Sequence, residues 1–114
     1  MSASSTVLSV LVKTTPSATT AATVYTVAAS KAVKLATATV TNTHTSSSAV
    51  FDIYINGTAK GDAVVYQYSL LAGDTISLTD ILGGMSLDET NTIGFKTSLA
   101  NDTNLIVTGA LLSA

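Results

Sequence analysis

Phe51-Asp52-Ile53-Tyr54-Ile55-Asn56-Gly57 sets large apolar residues at every second position and closes on a turn dipeptide. Period two with polar partners in between predicts a half-buried strand, with Phe51, Ile53 and Ile55 facing a core and Asp52 and Tyr54 facing solvent. Asn56-Gly57, extended by Lys60-Gly61-Asp62, supplies a loop rather than a two-residue hairpin. Working outward, the same reading recurs. Upstream, Ala36, Ala38 and Val40 alternate with Thr37, Thr39 and Thr41 in the stretch from Val33 to Thr43. Downstream, Val64, Tyr66, Tyr68 and Leu70 share one expected face, and Ala72-Gly73-Asp74 turns the chain into Thr75-Ile76-Ser77-Leu78.

Further short strands are expected over Val7 to Val12, Thr23 to Val27, Met85 to Leu87, Asn91 to Thr97 and Leu105 to Leu112. Ala is the best helix former, but Thr at every second position gives residues 28 to 40 no 3.6-residue period. Strands this short, punctuated by turns every 8 to 12 residues, predict an all-β fold: a single antiparallel β-sandwich, jelly-roll-like, of about eight strands. Pro16, the only proline, sits in a Thr/Ser/Ala stretch without periodicity. Residues 1–22 therefore read as an N-terminal strand plus extended arm, and residues 23–114 as the sandwich, within one domain.

Composition narrows the function. The 114 residues carry 5 Lys, no Arg, 7 acidic side chains, one His and no Cys, with a net charge of −2. Charged residues are 11% of the chain, against about 25% in an average soluble protein. Polarity comes instead from 20 Thr and 14 Ser, with Thr suited to strands and Ser to turns. Without Arg or net positive charge, nucleic-acid binding is not expected. No apolar run reaches the length of a membrane span, so no membrane partner is expected either. Met1 to Thr6 lacks the basic and apolar parts of a secretory signal, which gives an expectation of no export. Zero Cys removes thiolate chemistry, thiolate zinc sites and disulfides.

Candidate chemistry is thin. His44 is the one imidazole, so a Ser-His-Asp triad could form only around it, with Asp52 or Asp74 as orienter; no nucleophile elbow accompanies it. Asp88-Glu89 with Asn91, and Asn101-Asp102-Asn104, offer oxygens without the spacing of a calcium loop. Asn56-Gly57-Thr58 and Asn101-Asp102-Thr103 match the glycosylation pattern but read as turns. No catalytic residue, cofactor or metal is expected. Tyr25, Tyr54, Tyr66 and Tyr68 could form a stacking platform, with Tyr54 and Asp52 on one face as in a glycan-binding patch.

The collective feature is the surface: many strands with few ions leave outer faces of Thr, Ser, Ala and Val and few charged gatekeepers at strand edges. Such faces associate. The expected interface residues are Val7, Leu8, Val10, Leu11 and Val12 of the first strand, read as pairing with a neighbouring chain, together with Tyr25 and Tyr54.

Several segments resemble small β-sandwich structural proteins of tailed bacteriophages. Tyr25-Thr26-Val27-Ala28-Ala29-Ser30-Lys31, leading through Val33 to Val40-Thr41-Asn42-Thr43, is similar to their pattern YTVPAGK…V…VTNT. Leu70-Leu71-Ala72-Gly73-Asp74-Thr75-Ile76-Ser77-Leu78 resembles LAAGDTISL, and Ile93-Gly94-Phe95-Lys96 with Ile106-Val107-Thr108-Gly109-Ala110 resembles DSIRVKAS…VNVTVSG. Ala28 and Ser30 stand in place of the usual Pro and Gly, and Asp88-Glu89-Thr90-Asn91 where a second Ala-Gly-Asp turn is common. The resemblance implies a virion component: a capsid decoration (cement) protein, a head fibre or a tail part. Its implied partners are the major capsid protein and other copies of itself, a trimer fitting the three-fold positions of an icosahedral shell. A tail or fibre module binding a host surface glycan is the alternative.

Overall fold

The computed structural model describes residues 8–113. Nine strands form: β1 (Leu8–Thr14), β2 (Ala22–Thr26), β3 (Lys31–Asn42), β4 (Ala49–Ile55), β5 (Ala63–Leu70), β6 (Thr75–Ser77), β7 (Ser86–Leu87), β8 (Thr92–Thr97) and β9 (Thr103–Ser113). A 3-10 turn at Lys60–Asp62 precedes β5, and a one-turn helix, α1 (Thr79–Leu82), follows β6.

All pairings are antiparallel and nested. β4 pairs with β5, β3 with β6 and β7, β2 with β8, and β1 with β9. Successive pairs alternate between two sheets, ordered β1-β9-β3-β6 (with β7 also on β3) and β2-β8-β4-β5. This is a jelly roll, one long hairpin wound into a sandwich. The expected antiparallel β-sandwich is the fold observed.

The inner faces meet in one core whose largest fully buried side chains include Phe51, Phe95, Leu35, Ile53, Ile93 and Leu105. Phe51 and Phe95 lie on the neighbouring strands β4 and β8 with ring centroids 6.0 Å apart, a tilted pair favoured by the ring quadrupoles. Burying each such side chain stabilises the fold by about 1.5–3 kcal/mol.

Bulges reset the face of several strands, and here the structure departs from simple alternation. β3 shifts register between Leu35 and Thr37, so Val33 and Leu35 face inward before the bulge and Ala38 and Val40 after it. Ala36 is the extra residue, not a member of the inward row. β1 shifts at the corresponding place, between Val10 and Val12. Both bulges flank Gly109 of β9, where a Cβ would stand 2.6 Å from the Lys34 carbonyl oxygen and 2.9 Å from Leu11 Cδ1. Only glycine fits there.

β5 is bulged twice against β4, and Gln67 takes a left-handed φ of 51°. The expected single face of Val64, Tyr66, Tyr68 and Leu70 is therefore broken: Val65 and Leu70 are buried, whereas Val64 and Tyr66 are exposed.

Candidate interaction surface

Two polar clusters inside the fold use up the residues with chemical potential. Asp52 and Tyr54 are 5% and 3% exposed, which corrects the expectation that both face solvent. They do lie opposite the core-facing Phe51 and Ile53, but the loop after β4 folds over them. Gly94 on the adjacent β8 lets this happen, since a Cβ there would meet the Gly57 carbonyl at 2.9 Å and Tyr54 Cβ at 3.2 Å. The Tyr54 hydroxyl donates to Asp52 Oδ2 at 2.7 Å, and the Gln67 N–H donates to Asp52 Oδ1 at 2.6 Å. The carboxylate thus closes the β5 bulge by taking a backbone donor that the ladder leaves out. Burial, and after it the bond to Asp52, push the Tyr54 pKa up to about 12.

The second cluster centres on Asn42, fully buried at the end of β3. Its Nδ2 donates to the carbonyls of Ser47 and Leu70, and its Oδ1 accepts the His44 N–H. His44 Nδ1 accepts from the Ser46 and Ser47 N–H groups at 3.0 and 2.9 Å. The imidazole organises its own turn, and Asp52, one of its two candidate orienters, is committed to Tyr54 and Gln67.

The remaining turn candidates are likewise occupied. Asp88 N–H donates to Asn91 Oδ1, and Glu89 Oε2 accepts the Ser30 N–H. Asn56 and Asn101, the two glycosylation-pattern residues, take left-handed φ values of 59° and 69° at turns. Among the described residues no group of three His, Asp or Glu side chains is placed to hold a metal ion.

Nor do the tyrosines converge. Tyr25 packs part-buried against the core from β2, Tyr54 is covered, and Tyr66 and Tyr68 lie on β5 at the opposite edge of the same sheet. Tyr68 leans on Phe51 at 5.5 Å between centroids, and Lys60 Nζ stands 5.6 Å over the Tyr66 ring. Tyr54 is therefore not the exposed interface residue expected from the sequence, whereas Tyr25 keeps part of its surface in solvent.

What the fold does leave outside is sheet with few charges, all of one sign. The strands of the β1-β9-β3-β6 sheet carry Lys13, Lys31 and Lys34 and no acidic residue. Thr37 and Thr108 share a cross-strand hydrogen bond, as do Thr41 and Thr75 at 2.8 Å. These hydroxyls satisfy one another, which lowers the cost of removing the face from water.

β1 is an edge strand of this sheet. One of its sides pairs with β9 of the same chain, Leu8 opposite Ala110 through Thr14 opposite Leu105, and its other side is open among the described residues. The sequence-based expectation of pairing with a neighbouring chain thus meets a strand already half used. Leu8 and Val10 are 59% and 58% exposed, Leu11 is half-buried against the core, and Val12 is part of it at 3%. Val7 lies outside the described residues. The arm after β1 bounds a groove of about 280 Å³ lined by Thr14 to Ala18, Ala22, Val24 and Phe95.

No family model matches this chain, and no curated protein matches it either. Among solved structures it is similar to a subunit described under "Bacillus endospore appendages form a novel family of disulfide-linked pili". The identity is 16%, the TM-score 0.51, and the match covers 94% of this chain and 87% of that one. At this identity the likeness concerns the fold.

Proposed function

We propose that this chain is a non-enzymatic structural subunit that assembles through sparsely charged sheet surfaces, and that its setting is the outside of a bacteriophage capsid. There it binds the major capsid protein and other copies of itself and reinforces contacts between capsid subunits. The observation that carries the reading is the five-stranded sheet with three lysines, no acid and cross-bonded threonines. A face of this kind joins a neighbour while stripping water from few ions, its lysines being the charges that contact must leave at the rim or pair with a partner's acid. Each added contact makes local opening of a shell break several interfaces at once. The phage-like segments around Tyr25, Leu70 and Ile93 supply the setting.

Copy number tests it. Quantitative mass spectrometry of particles carrying the chain is expected to find hundreds of copies per particle, and about a dozen or fewer would overturn the cement role.

A fibre subunit is a second reading, favoured by the pilus described for the structural neighbour. This chain has no Cys, so a fibre made of it would be held without disulfides. Negative-stain images of the concentrated protein by itself separate the readings, since filaments without capsids favour the fibre. The glycan-binding alternative loses its basis in the burial of Asp52 and Tyr54.

A further inference from the structure

Thr43-His44-Thr45-Ser46-Ser47-Ser48 joins β3 to β4 and holds the one imidazole of the chain. None of the six is apolar, so hydrogen bonds rather than burial give this turn its shape. His44 Nδ1 accepts the N–H groups two and three residues further on, Ser46 at 3.0 Å and Ser47 at 2.9 Å, as an Asx side chain does in a turn. A ring nitrogen accepts only while it carries no proton. The contact therefore selects the neutral imidazole with its hydrogen on Nε2, and the opposite ring orientation would set a carbon against both N–H groups.

We infer that the His44 turn is a pH-operated latch at one end of the sandwich. A proton taken up at Nδ1 converts the acceptor into a donor that faces two other donors, and the turn opens at Ser46 and Ser47. Ser47 is pinned from both sides, its N–H by His44 and its carbonyl by Nδ2 of the fully buried Asn42 at 2.9 Å. Loss of the first bond leaves Asn42 as the sole hold on the segment that leads into β4. The other bonds of Asn42 run to the β5–β6 connection: Nδ2 to the Leu70 carbonyl, the main-chain N–H to the Asp74 carbonyl, and the main-chain carbonyl from the Gly73 N–H. None of these uses a titrating atom, so opening stays confined to the His44 turn.

Two neighbouring turns are bonded to this one. The β5–β6 turn brings Asp74 and the β8–β9 turn brings Asp102, whose carbonyl accepts the Thr43 N–H at 2.7 Å and the Thr43 hydroxyl at 3.0 Å. Lys13 and Lys96 sit within β1 and β8, short of these turns. The charged side chains on the turns are both acidic, so they attract rather than repel a protonated imidazole. What a proton on Nδ1 disrupts is the pair of N–H bonds.

Nuclear magnetic resonance of the intact chain tests the latch. At the alkaline end of the histidine range, about pH 8, the imidazole nitrogen signals are expected to report the Nε2–H tautomer. Amide exchange of Ser46 and Ser47 is then followed down to about pH 5 as a ratio to Gly73 at the same pH, which cancels the intrinsic pH dependence of exchange. That ratio is expected to rise about tenfold or more as the two bonds are lost. His44→Asn places an acceptor oxygen at the same turn position and takes up no proton, so its ratio is expected to stay flat. Asp74 and Asp102 remain in that variant, which separates their titration from that of His44. An Nδ1–H tautomer at the alkaline end, a ratio that does not change on acidification, or an equal rise in His44→Asn overturns the latch. The first two of these are read on the unmodified chain and stand even if the variant fails to fold.

Discussion

Asp52 and Tyr54 carry the sharpest consequences at the scale of single residues. Tyr54→Phe keeps the ring and removes the donor at 2.7 Å, leaving the buried carboxylate with the Gln67 N–H alone. A loss of about 1–3 kcal/mol is expected in urea melts. The Tyr54 pKa is raised to about 12 from an ordinary value of 10.0. The folded state therefore holds a proton that the unfolded state releases first. Stability from this group is complete below pH 10 and falls as pH rises from 10 to 12, by roughly 2–3 kcal/mol. The alkaline limb of the stability curve should be shallower in Tyr54→Phe, and a phenolate absorbance step near pH 12 should vanish. This pair was only half legible in the sequence. Alternation correctly put Asp52 and Tyr54 opposite Phe51 and Ile53, but nothing in the pattern told that the Gly57 loop would come down over them through the missing side chain of Gly94.

Among the elements, the flanking bulges on β1 and β3 make Gly109 the tightest point of the fold. Gly109→Ala would drive a methyl to 2.6 Å from the Lys34 carbonyl, which backbone movement must relieve. A thermal melt should register a loss of about 1–3 kcal/mol. Thr103→Val tests the buried hydroxyl pair across the β8–β9 turn. It removes the 2.8 Å bond to Thr97 and the 3.0 Å bond to the Leu99 carbonyl, at a cost of about 1–3 kcal/mol on the same assay. Strand positions were legible because each pattern of alternation is local, as in Phe51 to Ile55 and Ile93 to Thr97. Bulges were not: one extra residue at Ala36, or the two irregularities in β5, moves every later side chain to the other face without leaving a compositional mark.

For the whole molecule, the scarcity of ion pairs across the sheets predicts how assembly responds to salt. Seven of the twelve ionised side chains lie outside the strands, so contacts between sheet surfaces should be nearly insensitive to ionic strength. Sedimentation equilibrium at low and high salt should give similar association constants; a steep fall with salt would mean that ion pairs hold the assembly. The outward-facing Thr rows could be anticipated from the alternation of Thr37, Thr39 and Thr41. The edge positions of β1 and β5 could not, because which strands become edges depends on winding, and winding is set by all the strands together.

That winding also governs how the chain is made. β1 is the first described strand to leave the ribosome, and its partner β9 is the last. Throughout elongation Leu8 to Thr14 must wait without their ladder while some ninety residues are still to be translated. A ribosome stalled just short of Thr103 would hold a chain with Val12 uncovered and one sheet missing the strand that joins β1 to β3, a natural target for chaperones until the last strand is added.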